Sequence, residues 1–478
     1  MRLRTPAFAS LLVSLVSASA CGELKRADEA VDAGDGDGGV TQPDARAPAD
    51  GGADAGEGVD AGPPPRDSKC DDPWTATTKS QPECAARRVQ VIDPDIAVDA
   101  SGISIARTPA GRVGVSYNVE IDGQSGEHHF VHFVPNAPGF SPTVLKRAKG
   151  PYDHAGYLSR VAASPPDVLH VLAHDVDDVS FSGEVVVVRS IAGGALTPVE
   201  QVIGGVKRPS EIGFAVDGTG ASYATVRMAG AGGDAGTAAR LAARRKAPGG
   251  AWIALPDITT SLTPSEAPGT GSAKLVVDGS GQLHLLYHHC ETFSHSSPRY
   301  HTLDGASWSY RKTIDNAVPD GISGYGAQLA VSGTRKWAAY YFRKALQGVP
   351  EKADLRLATW EGNTDTPTIA VLAQSIPAPD AQYPEYRVAM AVDRFGLVHL
   401  AVLTPSPVNP RTGALEYMRQ TRTDTGALVW ITDIVDNDVV SQTSSGWVDL
   451  VVDEASRPHI AYISGKDLKV RYATRYDR

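Results

Sequence analysis

Between residues 87 and 478, apolar and polar side chains alternate in short runs broken by clusters of Gly, Asp, Ser and Pro. Alternation with a period of two predicts β-strands joined by tight turns. No long stretch with helical spacing interrupts it, so an all-β chain is expected. The alternation also recurs. Leu275-Val-Val-Asp278-Gly-Ser-Gly281-Gln-Leu-His284-Leu-Leu-Tyr287, Met390-Ala-Val-Asp393-Arg-Phe-Gly396-Leu-Val-His399-Leu-Ala-Val402 and Leu450-Val-Val-Asp453-Glu-Ala-Ser456-Arg-Pro-His459-Ile-Ala-Tyr462 each read as strand, turn, strand. The Asp can accept backbone N–H bonds inside the turn, and a Gly three residues later tolerates positive φ.

Weaker copies align on these without gaps, with the turn starting at Thr108, Ser164, Asp217, Asp278, Ser332, Asp393 and Asp453. Three residues before the start the side chain is always apolar: Ile105, Val161, Phe214, Leu275, Leu329, Met390, Leu450. Seven residues after it the side chain is again apolar: Val115, Val171, Ala224, Leu285, Ala339, Leu400, Ile460. The starts lie 56, 53, 61, 54, 61 and 60 residues apart. Third and fourth β-like runs follow in many units, among them Val185 to Val188, Leu415 to Met418, Trp252 to Leu255 and Val429 to Ile434. Four antiparallel strands repeated seven times predict a seven-bladed β-propeller, with six or eight blades as alternatives. The last unit lacks a fourth run. Residues 87–93 supply a matching one, so the N-terminal strand is expected to close the ring in the final blade.

The Asp-x-x-Gly-x-x-His-(Ile/Leu)-Ala-Tyr pattern resembles secreted bacterial propeller proteins of the broad sialidase-like type, many of them unassigned. The resemblance covers roughly residues 87–478 and speaks to fold. The Asp box of that family, Ser-x-Asp-x-Gly-x-x-Trp, is met only by Thr302-Leu-Asp304-Gly305-Ala-Ser-Trp308, one residue short.

The segment before the propeller changes the picture of where the protein works. Arg2 and Arg4 precede an apolar and small-residue run, Phe8 to Ala20, ending in Ala18-Ser19-Ala20. This reads as a signal peptide over residues 1–20. Cys21 at the next position resembles the bacterial lipoprotein signal, although Ala18 stands where that family has Leu. The resemblance implies a lipidated Cys21 and, with Gly22 following, outer-membrane sorting. The alternative is cleavage that leaves Cys21 unmodified in a secreted or periplasmic protein. Residues 22–66 carry eleven acidic and four basic side chains and almost no large apolar ones. Such a stretch cannot offset its ordering entropy by burial, so residues 21–66 are expected to form a disordered tether. In the 67–86 lead-in, Cys70 and Cys84 close a short loop and are expected to pair, two free thiols being the alternative; Cys290 is left odd. The net charge of −10 argues against a nucleic-acid partner.

Candidate chemistry falls on one face. The connections between second and third strands are long, at 118–127, 174–183, 227–236, 288–298, 343–354 and 404–413, whereas the Asp turns opposite are short. Long connections on a rigid frame are where binding tends to sit, which marks Asn118, His174, Asp175, Arg227, His288, His289 and Arg343 as candidate ligand-face residues. His288-His289-Cys290-Glu291 with His295 and His301 is the densest donor cluster, but it has no established ligand spacing, and solvated histidines with a buried Cys are the plainer reading. His128, His129 and His132 read the same way. Asp175, Asp177 and Asp178 resemble alternating calcium ligands, but no following Gly-x5-Glu completes the loop. His284, His399 and His459 share one repeat position and are expected to be structural. Neither a Tyr–Glu pair nor an arginine cluster can be assigned, Arg160, Arg227 and Arg343 falling at non-equivalent positions; no cofactor motif is visible. The expectation is a monomeric, membrane-tethered propeller binding a glycan or a protein without catalysis. The alternatives are an extracellular glycoside hydrolase or lyase and an envelope scaffold.

Overall fold

The computed structural model describes residues 89–96, 102–121, 125–135, 140, 142–147, 154–176, 182–207, 212–228, 240–258, 268–292, 295–305, 307–316, 321–344, 352–363, 365–377, 388–406, 412–440, 447–465 and 467–475. They form a seven-bladed β-propeller of four antiparallel strands per blade. Blade 1 holds β2 (Ser104–Arg107), β3 (Val113–Glu120), β4 (Gly126–Phe133) and β5 (Thr143–Lys146). Blade 2 holds β6 (His154–Ser164), β7 (Val168–Val176), β8 (Ser182–Ser190) and β9 (Glu200–Lys207). Blade 3 holds β10 (Ile212–Val216), β11 (Ser222–Met228), β12 (Arg240–Lys246) and β13 (Trp252–Ile258). Blade 4 holds β14 (Pro268–Val277), β15 (Leu283–Thr292), β16 (His295–Asp304) and β17 (Ser307–Thr313). Blade 5 holds β18 (Gly321–Ser332), β19 (Arg335–Lys344), β20 (Lys352–Glu361) and β21 (Thr368–Pro377). Blade 6 holds β22 (Val388–Val392), β23 (Val398–Pro405), β24 (Thr412–Arg422) and β25 (Leu428–Val440). Blade 7 holds β26 (Val448–Val452), β27 (Pro458–Ile463) and β28 (Lys469–Thr474), completed by β1 (Gln90–Ile96).

The closing strand lies where the sequence places it, with Gln90 opposite Tyr472 and Val91 opposite Arg471. The first strands β2, β6, β10, β14, β18, β22 and β26 touch in succession, and β26 returns to β2. They form the innermost ring around the axis.

The two recurrent apolar positions are direct cross-strand partners: Ile105 faces Val115, Val161 faces Val171, Phe214 faces Ala224, Leu275 faces Leu285, Met390 faces Leu400 and Leu450 faces Ile460. All twelve are buried. Blade 5 corrects the ungapped alignment. Its turn is one residue shorter, so Leu329 faces Ala338 and not Ala339. A large side chain fully withdrawn from water contributes about 1.5–3 kcal/mol; repeated around the ring, these pairs form the inter-blade core. One cluster, for instance, joins Leu415 and Tyr417 of blade 6 to Val448 and Leu450 of blade 7.

The Asp turns do what their side chains predict. Oδ1 of Asp217, Asp278, Asp393 and Asp453 accepts two backbone N–H bonds at 2.9 Å, from the residues two and four ahead. In three of these blades the other oxygen faces the repeat histidine. His284, His399 and His459 stand 3.1, 3.4 and 3.6 Å from their turn aspartates. The opposite ring nitrogen of each meets a third-strand tyrosine hydroxyl, Tyr300, Tyr417 or Tyr472, at 2.6, 2.5 and 2.5 Å. These histidines are struts from turn to sheet. Ser456 takes the left-handed conformation glycine holds elsewhere (φ 60°) and donates a 2.7 Å bond to Asp393 of the neighbouring blade.

A second recurring device holds blade to blade. An acid at the end of one blade's fourth strand meets a tyrosine on the second strand and a cation on the third strand of the next blade. Asp93 accepts from Tyr117 at 2.6 Å and meets His129 at 3.0 Å. Asp315 accepts from Tyr340 at 3.0 Å and Arg356 at 2.9 Å. Asp436 accepts from Tyr462 at 2.7 Å and Arg471 at 2.9 Å. In every case tyrosine and cation are cross-strand partners. Burial and then the neighbouring carboxylate hold the Tyr340 and Tyr462 hydroxyls well above the ordinary tyrosine range. Breaking a buried charged set costs about 3–5 kcal/mol. Asp315→Ala is therefore expected to lose stability on that scale in chemical denaturation, and Asp315→Asn less, because the amide oxygen still accepts from Tyr340. Equal stability of Asp315→Ala and wild type would show that the clamp contributes nothing.

Candidate functional site

The innermost strands enclose an axial cavity of about 380 Å³. Its walls come from blades 1, 2, 3, 4 and 7. The recurrent apolar residues Ile105, Val161, Phe214, Leu275 and Leu450 contribute to them. The position just before each of these residues carries the polar content: Ser104, Arg160, Gly213, Lys274 and Asp449 line the cavity, while Gln328 and Ala389 hold the same position in blades 5 and 6.

Hydrogen bonds run around this ring. The Val161 amide donates to Ser104 Oγ at 3.0 Å, and Ser104 Oγ donates to Asp449 Oδ2 at 3.0 Å. Asp449 Oδ2 also accepts from the Ile105 amide at 2.9 Å, and Oδ1 from its neighbour Leu450 at 2.9 Å. Burial pushes the Lys274 ammonium below the ordinary lysine range; Asp449 opposes this and Arg160 adds to it. Toward the Asp-turn end, Arg107 pairs with Glu454.

The candidate residues of the long connections lie on the ends of the second strands, and most are packed between blades. Asn118 is 4% exposed and donates through Nδ2 to the Ala155 carbonyl. His174 is fully buried, and burial lowers its pKa to about 3. Asp175 is buried, accepting from the Gly156 amide at 2.9 Å with Lys146 at 3.4 Å. His288 shares a 2.7 Å hydrogen bond with Ser296. His289 is buried with neither ring nitrogen hydrogen-bonded, and burial lowers its pKa to about 3. Arg343 is buried and Arg227 half-buried. His128 is buried against Ser116, and His129 is taken up by the Asp93 clamp. Both faces of each sheet are covered by neighbouring blades, so strand alternation does not bring these side chains to water.

Among the described residues no group of three or more His, Cys, Asp or Glu is placed to hold a metal ion. Cys21, Cys70, Cys84, Asp177 and Asp178 lie outside the described residues, as do the signal run and the tether. Arg160 apart, the axial ring escaped the sequence reading because charged residues inside a short strand look like a solvated face. The clamps had a visible signal, a tyrosine after the second-strand apolar run in Tyr117, Tyr340 and Tyr462, but their acids lie a blade away.

No family model matches the chain. No curated protein matches it in sequence. Its fold is similar to that of polysaccharide lyase Uly1, at 9% identity over 81% of this chain and 91% of that chain, with a TM-score of 0.50. It is also similar to Trypanosoma rangeli sialidase in complex with the inhibitor DANA, at 9% identity, 78% of this chain and 54% of that chain, TM-score 0.42. This chain thus spans about half the length of that sialidase. A variant of Aleuria aurantia lectin in complex with Fucα1-6GlcNAc matches at 15% identity over 74% of this chain and 99% of that chain, TM-score 0.42. At such identities the likeness is one of fold, that of the β-propeller.

Proposed function

We propose that this chain is an exported propeller that binds a glycan at its axial cavity and does not cleave it. The axial cavity carries the reading. At about 380 Å³ it is within the range of small-molecule sites, and its exposed lining is mostly polar, with hydrogen-bonding groups converging on it. The likeness in fold to a polysaccharide lyase is consistent with a sugar ligand. Binding without turnover is favoured by the state of the carboxylates. Glycoside hydrolysis needs an acid and a second carboxylate placed across the bond and free to act. In the cavity Asp449 is held by three hydrogen bonds and Glu454 pairs with Arg107.

One observation favours a second reading. A desolvated lysine beside an arginine is what elimination from an acidic polysaccharide would need: one group to hold the carboxylate, the other to take a proton. A panel of polysaccharides and oligosaccharides incubated with the full chain separates the two. Saturable binding with no new reducing ends and no unsaturated product supports the binder. Product that accumulates with enzyme and time overturns it.

The site of work is part of the same proposal. A lipid on Cys21 would hold the propeller at the end of an acidic tether, outside the cytoplasm. Fatty-acid labelling that depends on Cys21 supports the anchor, and labelling that survives Cys21→Ala refutes it.

A further inference from the structure

We infer that Lys274 of blade 4 is a nucleophilic amine placed to capture an aldehyde in the axial cavity as an imine, the aldehyde being the open-chain reducing end of a saccharide. The saccharide rests on the glycan-binding reading above, and the capture step goes beyond it.

Three features single out this amine. Lys274 lies on the innermost strand β14, and it lines the cavity. Among the described residues no hydrogen bond or ion pair reaches its head group. Other charged groups of the cavity are engaged: Asp449 accepts from Ser104, Ile105 and Leu450, and Arg107 pairs with Glu454. Space is also left open beside the lysine. Blade 3, next to it in the ring, contributes Gly213 at the same position. A Cβ there would come 2.9 Å from the Ala273 carbonyl oxygen, so β10 closes on β14 only with no side chain at that position.

A lysine held away from water without a partner is favoured as the neutral amine, the form that attacks carbonyls. Burial pushes Lys274 in that direction, and Asp449 opposes it. The amine lone pair adds to the carbonyl carbon, and the carbonyl oxygen takes one amine hydrogen to give a carbinolamine. That hydroxyl then leaves as water with the second amine hydrogen, and a C=N bond remains. Nothing is oxidised or reduced, and no glycosidic bond breaks. Water reverses the step, so capture agrees with binding without cleavage. A cavity of about 380 Å³ has room for one sugar in its open-chain form.

Glycolaldehyde, a sugar aldehyde too short to close into a ring, tests the step on the full folded chain. With cyanoborohydride at neutral pH to reduce any imine to a stable secondary amine, peptide mapping reads which lysines carry the adduct and how fast. Lys274 is expected to react about ten-fold or more faster than the surface lysines. Lys274→Met should lose the fast adduct, and Lys274→Arg should lose it too although it keeps the positive charge. Lys274 reacting no faster than the surface lysines overturns the capture. A panel of reducing oligosaccharides and their methyl glycosides separates this outcome from the reading beneath it. Methyl glycosides that bind while Lys274 stays unreactive leave glycan binding standing without the imine. A fast Lys274 in a chain that binds neither free nor blocked sugars overturns the saccharide as its partner, and the glycan reading with it.

Discussion

The folded chain is expected to lose stability steeply between pH 7 and pH 5. Five histidines are buried with pKa values pushed far down. Burial is the leading cause for each: His128, His174 and His289 are lowered to about 3, and His170 and His301 to about 4. An unfolded histidine titrates near 6.5. Below that pH the unfolded chain takes up protons that the folded chain refuses, so the stabilising effect of a neutral buried ring is complete above about 6.5 and declines as the pH falls. Each site costs about 1.4 kcal/mol per pH unit over that window, hence about 2 kcal/mol at pH 5. Five together approach about 10 kcal/mol, the scale of a whole domain's stability. His129 works against this. Burial alone would lower it, but its bonds to Asp93 and Glu127 leave it raised, so its contribution is present in acid and is lost as the pH rises through its folded value. The turn aspartates, with folded pKa values below normal despite their burial, add a further loss at lower pH, as the pH falls through the carboxylate range. Urea midpoints measured across pH 8 to 4.5 should be nearly flat above 7 and fall sharply below 6.5. His289→Gln should reduce that slope by about one proton's worth. A profile flat down to pH 4.5 would contradict the burial of these rings.

Removing the closing strand should be as damaging. A chain starting at residue 97 lacks β1. It loses Ile92, which is 1% exposed in the main core cluster, and Asp93, which clamps Tyr117 and His129. The apolar burial is worth about 2–3 kcal/mol and the clamp about 3–5 kcal/mol. The loss also leaves β28 as an open edge ready to pair with another chain. A chain starting at residue 89 keeps all of this. The longer chain should behave as a compact monomer with wild-type midpoint. The shorter one should lose upwards of about 5 kcal/mol and associate. Equal midpoints and monomeric elution for both would show that the ring does not depend on its N-terminal strand.

The fold was readable because its periodic element is local. Ile105 with Val115, or Leu450 with Ile460, lie ten residues apart and face each other across one hairpin, so alternation and turn chemistry report them directly. The closing strand was readable because blade 7 has no fourth run of its own. Blade 5 slipped by one residue because its two-residue turn Gly333-Thr334 replaces an Asp turn, and Ala338 and Ala339 are both apolar. The site was much less legible. Arg160, Lys274 and Asp449 are more than a hundred residues apart, and nothing local distinguishes them from outward-facing charges; only closure of the ring brings them to one cavity. His174, His289 and Arg343 drew notice as polar residues entering long connections, a pattern that cannot tell a ligand face from a blade interface covered on both sides.

The most direct measurement is a structure of the full chain with a bound oligosaccharide. An intact sugar ring in the axial cavity is the expected result. A sugar seated on the outer strands with the axis empty, or a cleaved product in the cavity, would contradict axial binding without turnover.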